Sequence, residues 1–232
     1  MKDLLVVHSS DVHVDTLVAD GTAQLGAVIA TARHEGADLL LLAGDTFEHN
    51  RLPLDLLART AAVLEGAGMP VVILPGNHDP AIPESAFHRG NLARVANVAI
   101  LGITHEESVQ FPALDLEVWG RAHRDYGNMA PLESPRARTR RWLIAMAHGH
   151  YEPKPDPATA LRPSWLISDD EIAATRADYV ALGHWNRAAK VGRGEVEAYY
   201  SGSPDLEATV NVVRLTEDGR VEVSRKELVW RI

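Results

Sequence analysis

The chain has 232 residues, with 23 basic against 32 acidic side chains and a formal charge of −9 at pH 7. Single hydrophobic cores stop growing at about 250 to 300 residues, so we expect a single domain over residues 1–232; the 46% apolar content excludes a disordered chain, and the acidic balance argues against a protein held on nucleic acid by bulk charge. The absence of cysteine excludes disulfide frameworks, thiolate zinc sites, iron–sulfur clusters and cysteine nucleophiles, which leaves the eleven histidines as the conspicuous chemical resource.

The first apolar run, residues 4–7, is too short for a signal-peptide core or a membrane span, and points to a cytoplasmic protein without membrane contact. It suits a buried first strand. Leu25, Val28, Ile29 and Ala32 then recur at the spacing of one helix face within residues 22–35, and Gly36 is a plausible stop. Residues 39–42 form a continuous apolar run, the pattern of a strand buried on both faces. Pro53 opens a second helix whose stripe is Leu54, Leu57, Ala61 and Leu64, ended near Gly66 and Gly68, and residues 71–74 are a third strand. Strand, helix, strand, helix, strand with short connections implies parallel pairing through right-handed crossovers. The second half is strand-rich, with candidates at residues 98–101, 116–119, 142–147, 179–182, 197–200, 210–215 and 221–229. The last two form a closing hairpin through Asp218 and Gly219, about residues 209–229.

Two connections stand apart. Residues 121–141 carry Arg121, Arg124, Arg136, Arg138, Arg140 and Arg141 against Asp125 and Glu133; a solvated surface loop is the favoured reading, a phosphate-attracting rim the functional one. Residues 152–165 contain Pro153, Pro155, Pro157 and Pro163 and read as a stiff, extended excursion.

The chemistry-bearing residues follow the strands. Asp11 and His13 come after the first, and their side chains point the same way if that strand continues to His13. Gly44-Asp45 comes after the second, and Gly76-Asn77-His78-Asp79 after the third. His148 and His150 follow one later strand, and Gly183-His184-Trp185-Asn186 another. Any one of these histidines alone would be read as a surface or hydrogen-bonded core residue, but five strand ends delivering Asp, Asn and His to one rim would not. Such rims bind ligands in open α/β sheets. Carboxylate, amide and imidazole donors without thiolate suit Mn²⁺, Fe or Zn²⁺, and more than four candidate ligands implies two ions sharing a bridging group.

In this order, Asp11-x-His13, Gly44-Asp45, Gly76-Asn77-His78-Asp79, His148 and Gly183-His184 resemble the five motifs of the calcineurin-like metallophosphoesterases, over nearly the whole chain. Residues 5–13 and Tyr200-Ser201-Gly202-Ser203-Pro204 are most similar to the exonuclease branch, the nuclease subunits of double-strand-break repair complexes (the SbcCD type). The resemblance implies an α/β fold, a two-sheet sandwich flanked by helices. It further implies that Asp11 and His13 hold one metal, Asp45 bridges two, and Asn77, His148 and His184 hold the second. Mn²⁺ is the preferred ion, with Fe or Zn²⁺ as alternatives. His78 would be the general acid and Asp79 the carboxylate fixing its ring, while a bridging water of lowered pKa would supply hydroxide for in-line displacement.

The chain departs from that pattern in three places. Asn186 stands where the last motif usually ends in a second histidine, which should weaken the first metal site or favour a harder ion. Glu48, with His49 beside it, occupies the place three residues after the bridging aspartate where many repair nucleases carry histidine. Only 28 residues follow Pro204, enough for the hairpin but not for the capping domain of those nucleases. His150, Trp185 and Arg187 flank the motifs as candidate substrate contacts, with Trp185 either stacking on a base or wedging its loop against the core. His8 is expected to pack within the first strand, and His34, His88, His105 and His123 to lie on the surface. The expected activity is hydrolysis of nucleotide-like or short nucleic-acid phosphodiesters; the alternatives are a small-molecule phosphomonoesterase or a metal-depleted binding module. A partner ATPase or a homodimer is left open.

Overall fold

The computed structural model describes residues 3–17, 20–155 and 165–230. The chain runs β1 (Leu4–Ser9), α1 (Ala23–Glu35), β2 (Leu39–Ala43), α2 (Leu54–Glu65), β3 (Val71–Leu74), β4 (Val98–Ile100), β5 (Ser108–Phe111), β6 (Leu116–Gly120) and β7 (Trp142–His148). It continues with β8 (His150–Tyr151), β9 (Leu166–Ile167), α3 (Asp169–Thr175), β10 (Tyr179–Gly183), β11 (Ala189–Val191), β12 (Glu197–Tyr200), α4 (Pro204–Glu207), β13 (Thr209–Leu215) and β14 (Val221–Glu227). One six-stranded sheet has the order β14-β13-β1-β2-β3-β4 and a second the order β11-β12-β10-β7-β6-β5, while β8 and β9 form a short parallel pair. β1 to β4 are parallel, as are β12, β10, β7 and β6. The carboxyl ends of β1, β2, β3, β7 and β10 meet at one rim.

The apolar runs divide by alternation. Leu39, Leu41 and Ala43 join Val6, Val72, Ile144 and Ala181 between the sheets. Leu40 and Leu42 pack with Leu25, Val28, Leu57 and Leu64 under the first two helices. A third layer, with Leu143, Val180, Leu182 and Tyr200, covers the outer face of the second sheet beneath Ile172 of α3. Each central strand is therefore buried on both faces, and this is why its sequence reads as an unbroken apolar run. The result is the expected α/β two-sheet sandwich.

Periodicity did not reveal α3 or β5. α3 has seven residues, too few for an apolar stripe; its signal is the capping box, in which the Glu171 amide donates to Ser168 Oγ and the Ser168 amide to the Glu171 carboxylate at 2.8 Å. β5 is a half-exposed edge strand, antiparallel to β6. Residues 156–164 of the proline-rich excursion lie outside the described residues. In the arginine-rich connection, Arg138 pairs with Asp178, Arg121 with Glu133 and Glu107, and Arg136 with Glu117. Asp178 precedes β10, so Arg138 braces the end of the sheet opposite the ligand rim, as a surface tie rather than a phosphate contact.

His8 is fully buried on β1, where its Nδ1 shares a 2.9 Å hydrogen bond with the Tyr179 hydroxyl. Burial pushes its pKa down to about 3, so the ring is neutral in the folded protein. The unfolded chain binds the extra proton below about pH 6.5, and stability is therefore lost as pH falls from there toward 3. Between pH 7 and pH 5 this one group should cost about 2 kcal/mol. In urea denaturation at the two pH values, His8→Gln should lose that much less stability than the wild type; an equal loss in both would show that His8 does not titrate on unfolding.

Candidate metal centre

β1 ends at Ser9, so Asp11 and His13 do not converge by strand alternation as expected. Both take left-handed backbone conformations, with φ 52° and 49°, and Asp45 does the same at 49°. These are uncommon for residues with a Cβ. Backbone bonds over-determine them: the amides of Asp11 and His13 donate to the carbonyls of Gly44 and Asp45, both at 3.0 Å. The loops after β1 and β2 thus run side by side and turn both carboxylates inward. Ser201, from the Tyr200–Pro204 segment singled out in the sequence, braces the same point: its hydroxyl lies 2.9 Å from that of Ser10, which donates to Asp11.

Ligand atoms of Asp11, His13 and Asp45 all lie within 4.8 Å of one another. On the other side, His148 Nε2 is 3.0 Å from both Asp45 Oδ2 and Asn77 Oδ1. The His184 ring lies 5.4 Å from the His148 ring, and the His184 amide donates to both Asp11 oxygens at 3.0 and 3.1 Å. Asp45 is therefore common to the two groups. His148 Nδ1 donates to the Ala43 carbonyl at 2.9 Å, which leaves Nε2 of a neutral ring as an acceptor facing two further acceptors. Either a proton or a cation must lie there. Without a cation the ring takes up the proton: burial opposes it, but the charge and hydrogen bond of Asp45, then Asp11, push His148 up to about 9. Burial, reinforced by the Asp45 charge, pushes Asp11 up in turn. Buried carboxylates, an amide oxygen and an imidazole held in the tautomer that offers Nε2 are a donor set that fits divalent metal.

His78, half-buried, anchors the cluster through its backbone, whose N–H donates to Asp45 Oδ1 at 2.9 Å. Its ring is not fixed by Asp79. The Asp79 carboxylate is fully buried and accepts from the Gly76 amide at 2.7 Å and the Phe47 amide at 3.0 Å, so it ties the β2 and β3 loops together. Burial and the neighbouring Asp45 charge push Asp79 up to about 7. The ring partner is Glu48: His78 Nδ1 donates to its carbonyl at 2.9 Å and lies 3.4 Å from its carboxylate. The other carboxylate oxygen is 2.8 Å from His13 Nδ1. Burial works to lower the His78 pKa, but Asp45, the Glu48 carbonyl and the carboxylates of Glu48 and Asp79 outweigh it and raise it. A cleft of about 1030 Å³ opens beside His78, walled by Glu48, Arg51, Asn77, Arg89 and Tyr126 among others. Sequence reasoning marked Glu48 only as a departure and missed Tyr126.

The flanking candidates take different places. Trp185 stacks on Tyr200 at 4.4 Å and 9°, and its indole N–H donates to His150 Nδ1 at 3.0 Å, so it wedges the loop and orients the exposed His150. Asn186 and Arg187 are exposed, and no hydrogen bond joins the Asn186 side chain to the cluster among the described residues. His123, expected on the surface, is buried: its Nε2 donates to the His148 carbonyl at 2.9 Å. His34, His88 and His105 are exposed as expected.

A model of the calcineurin-like phosphoesterase family matches residues 4–187. The chain belongs to this family. It is 24% identical over 243 residues to the D component of the SbcCD nuclease of Bacillus subtilis (strain 168), covering 86% of this chain but 61% of that protein. The calcineurin-like phosphoesterase described here thus spans less than two thirds of that relative's length. Among solved structures it is similar to TT1561 of Thermus thermophilus, with a TM-score of 0.62 and 14% identity over 95% of this chain and 98% of the other. A structure described as a novel archaeal phosphodiesterase aligns with a TM-score of 0.50 and 13% identity over 96% and 100% of the two chains. At these identities the structural likeness speaks for the fold. No helix among the described residues is long and apolar enough to cross a membrane.

Proposed function

We propose that this protein is a phosphodiesterase that uses two divalent metal ions, Mn²⁺ by preference, on nucleotide-like or short nucleic-acid substrates. The observation that carries this reading is the carboxylate Asp45 shared between the Asp11/His13 group and the Asn77/His148/His184 group, with His78 beside them at a cleft. Family membership supports phosphoester chemistry. Similarity to a nuclease subunit supports diesters, the bonds of nucleic acids, over monoesters. Asp11 and His13 would hold one ion, Asn77, His148 and His184 the other, and Asp45 both. Bound ions would offset phosphate charge and lower the pKa of a water. His78 keeps Nδ1 engaged with the Glu48 carbonyl, so its second proton sits on Nε2, available to a leaving oxygen.

Two metals per chain by elemental analysis, together with faster Mn²⁺-dependent turnover of bis-p-nitrophenyl phosphate than of p-nitrophenyl phosphate, is the expected result. A strong monoester preference would overturn the diesterase reading. One metal or none without hydrolysis would instead make the chain a binding module.

A further inference from the structure

Glu48 is the departure from the nuclease pattern that the tertiary structure carries into the site. One of its carboxylate oxygens lies 2.8 Å from His13 Nδ1 and the other 3.4 Å from His78 Nδ1. The two rings meet edge to face with centroids 4.9 Å apart. The carboxylate therefore touches both a candidate metal ligand and the candidate acid, and the same residue walls the cleft. Its side chain is 39% exposed, so it presents charge to whatever enters rather than being sealed beneath the rings.

A fixed negative charge at this point discriminates among phosphate esters. A phosphomonoester has a second pKa of about 6 and carries close to two negative charges above it, whereas a diester carries one. The additional charge, several ångströms from a carboxylate in a partly desolvated cleft, meets a repulsion large enough to change relative rates by about tenfold. A histidine at the same position would impose no such penalty.

We propose that Glu48 is a specificity-determining residue, whose carboxylate, lying beside His13 and His78, admits singly charged phosphodiesters and disfavours doubly charged phosphomonoesters. The proposal rests on the phosphodiesterase reading above and names the charge class of substrate that the site selects. It also accounts for why an acidic group stands beside a phosphate site without pairing with an arginine or lysine among the described residues.

The test compares wild type, Glu48→Gln and Glu48→Asp, each loaded with Mn²⁺, on bis-p-nitrophenyl phosphate and p-nitrophenyl phosphate at pH 7.5, with metal content measured on the same samples. Glu48→Gln should raise the monoester-to-diester ratio of kcat/KM by about tenfold while retaining the wild-type metal content; Glu48→Asp, which keeps the charge, should retain the wild-type ratio. Glu48→Ala reads the same ratio should the glutamine variant fail to fold. An active wild type whose ratio neutralisation leaves unchanged overturns the role of Glu48 alone. Metal loss in the glutamine variant also overturns it, because the carboxylate would then be a ligand. A wild type that cleaves only the monoester overturns the phosphodiesterase reading and this selectivity with it.

Discussion

His78→Ala should lower turnover of a dinucleotide by about 10² to 10⁴ while leaving metal content intact. The backbone of His78 holds Asp45 Oδ1, and alanine keeps that donor, so the carboxylate shared by the two ligand groups stays in place. Only the ring is lost. That ring is held through Nδ1 by the Glu48 carbonyl, and its pKa is raised against the pull of burial by Asp45 and the other nearby carboxylates; both features favour a proton on Nε2 near neutral pH. A nucleoside leaving oxygen needs that proton, whereas p-nitrophenolate, a far weaker base, hardly does. The loss should therefore be much smaller on bis-p-nitrophenyl phosphate. Equal losses on both substrates, or loss of metal, would remove His78 from the role of acid.

Gly44→Ala should cost about 3 kcal/mol or more of stability and abolish metal retention. Gly44 has φ +92°, a conformation that L side chains rarely adopt, and a Cβ built there falls 1.9 Å from His148 Nδ1 and 2.4 Å from its Cγ. His148 is fully buried and cannot swing away. Displacing it breaks the Nδ1 bond to Ala43 and moves Nε2 from its 3.0 Å approach to Asp45 and Asn77. The glycine is therefore required by the approach of a histidine from the other sheet, beyond any need for a turn. Chemical denaturation and elemental analysis of the variant check both halves. A loss under about 1 kcal/mol with wild-type metal content would show that the rim yields easily and that the backbone at Gly44 does not set the His148 position.

Much of this was legible before folding. Residues 39–42 read as a doubly buried strand because parallel strands covered on both faces carry apolar side chains at every position, and residues 71–74 read as a strand; both are local properties. The candidate ligand types were legible for a similar reason, since Asp, Asn and His follow directly on such runs. The half-exposed β5 and the seven-residue α3 were not, because an edge strand needs no apolar alternation and a short helix has no room for a stripe. His123 was misjudged as a surface residue because its burial depends on β7, a segment far along the chain.

By itself, the sequence marked most of the central strands, the candidate metal-ligating side chains and the rim on which they gather, all of which follow from side-chain type and spacing along short stretches. Only the tertiary structure decided how they are used. It turned Asp11 and His13 inward through left-handed residues rather than strand alternation, gave Asp79 to two backbone amides, and set Glu48 against His13 and His78. These outcomes depend on atoms from segments far apart in the chain meeting within about 3 Å, and no local pattern encodes which of several nearby acceptors a buried donor will reach.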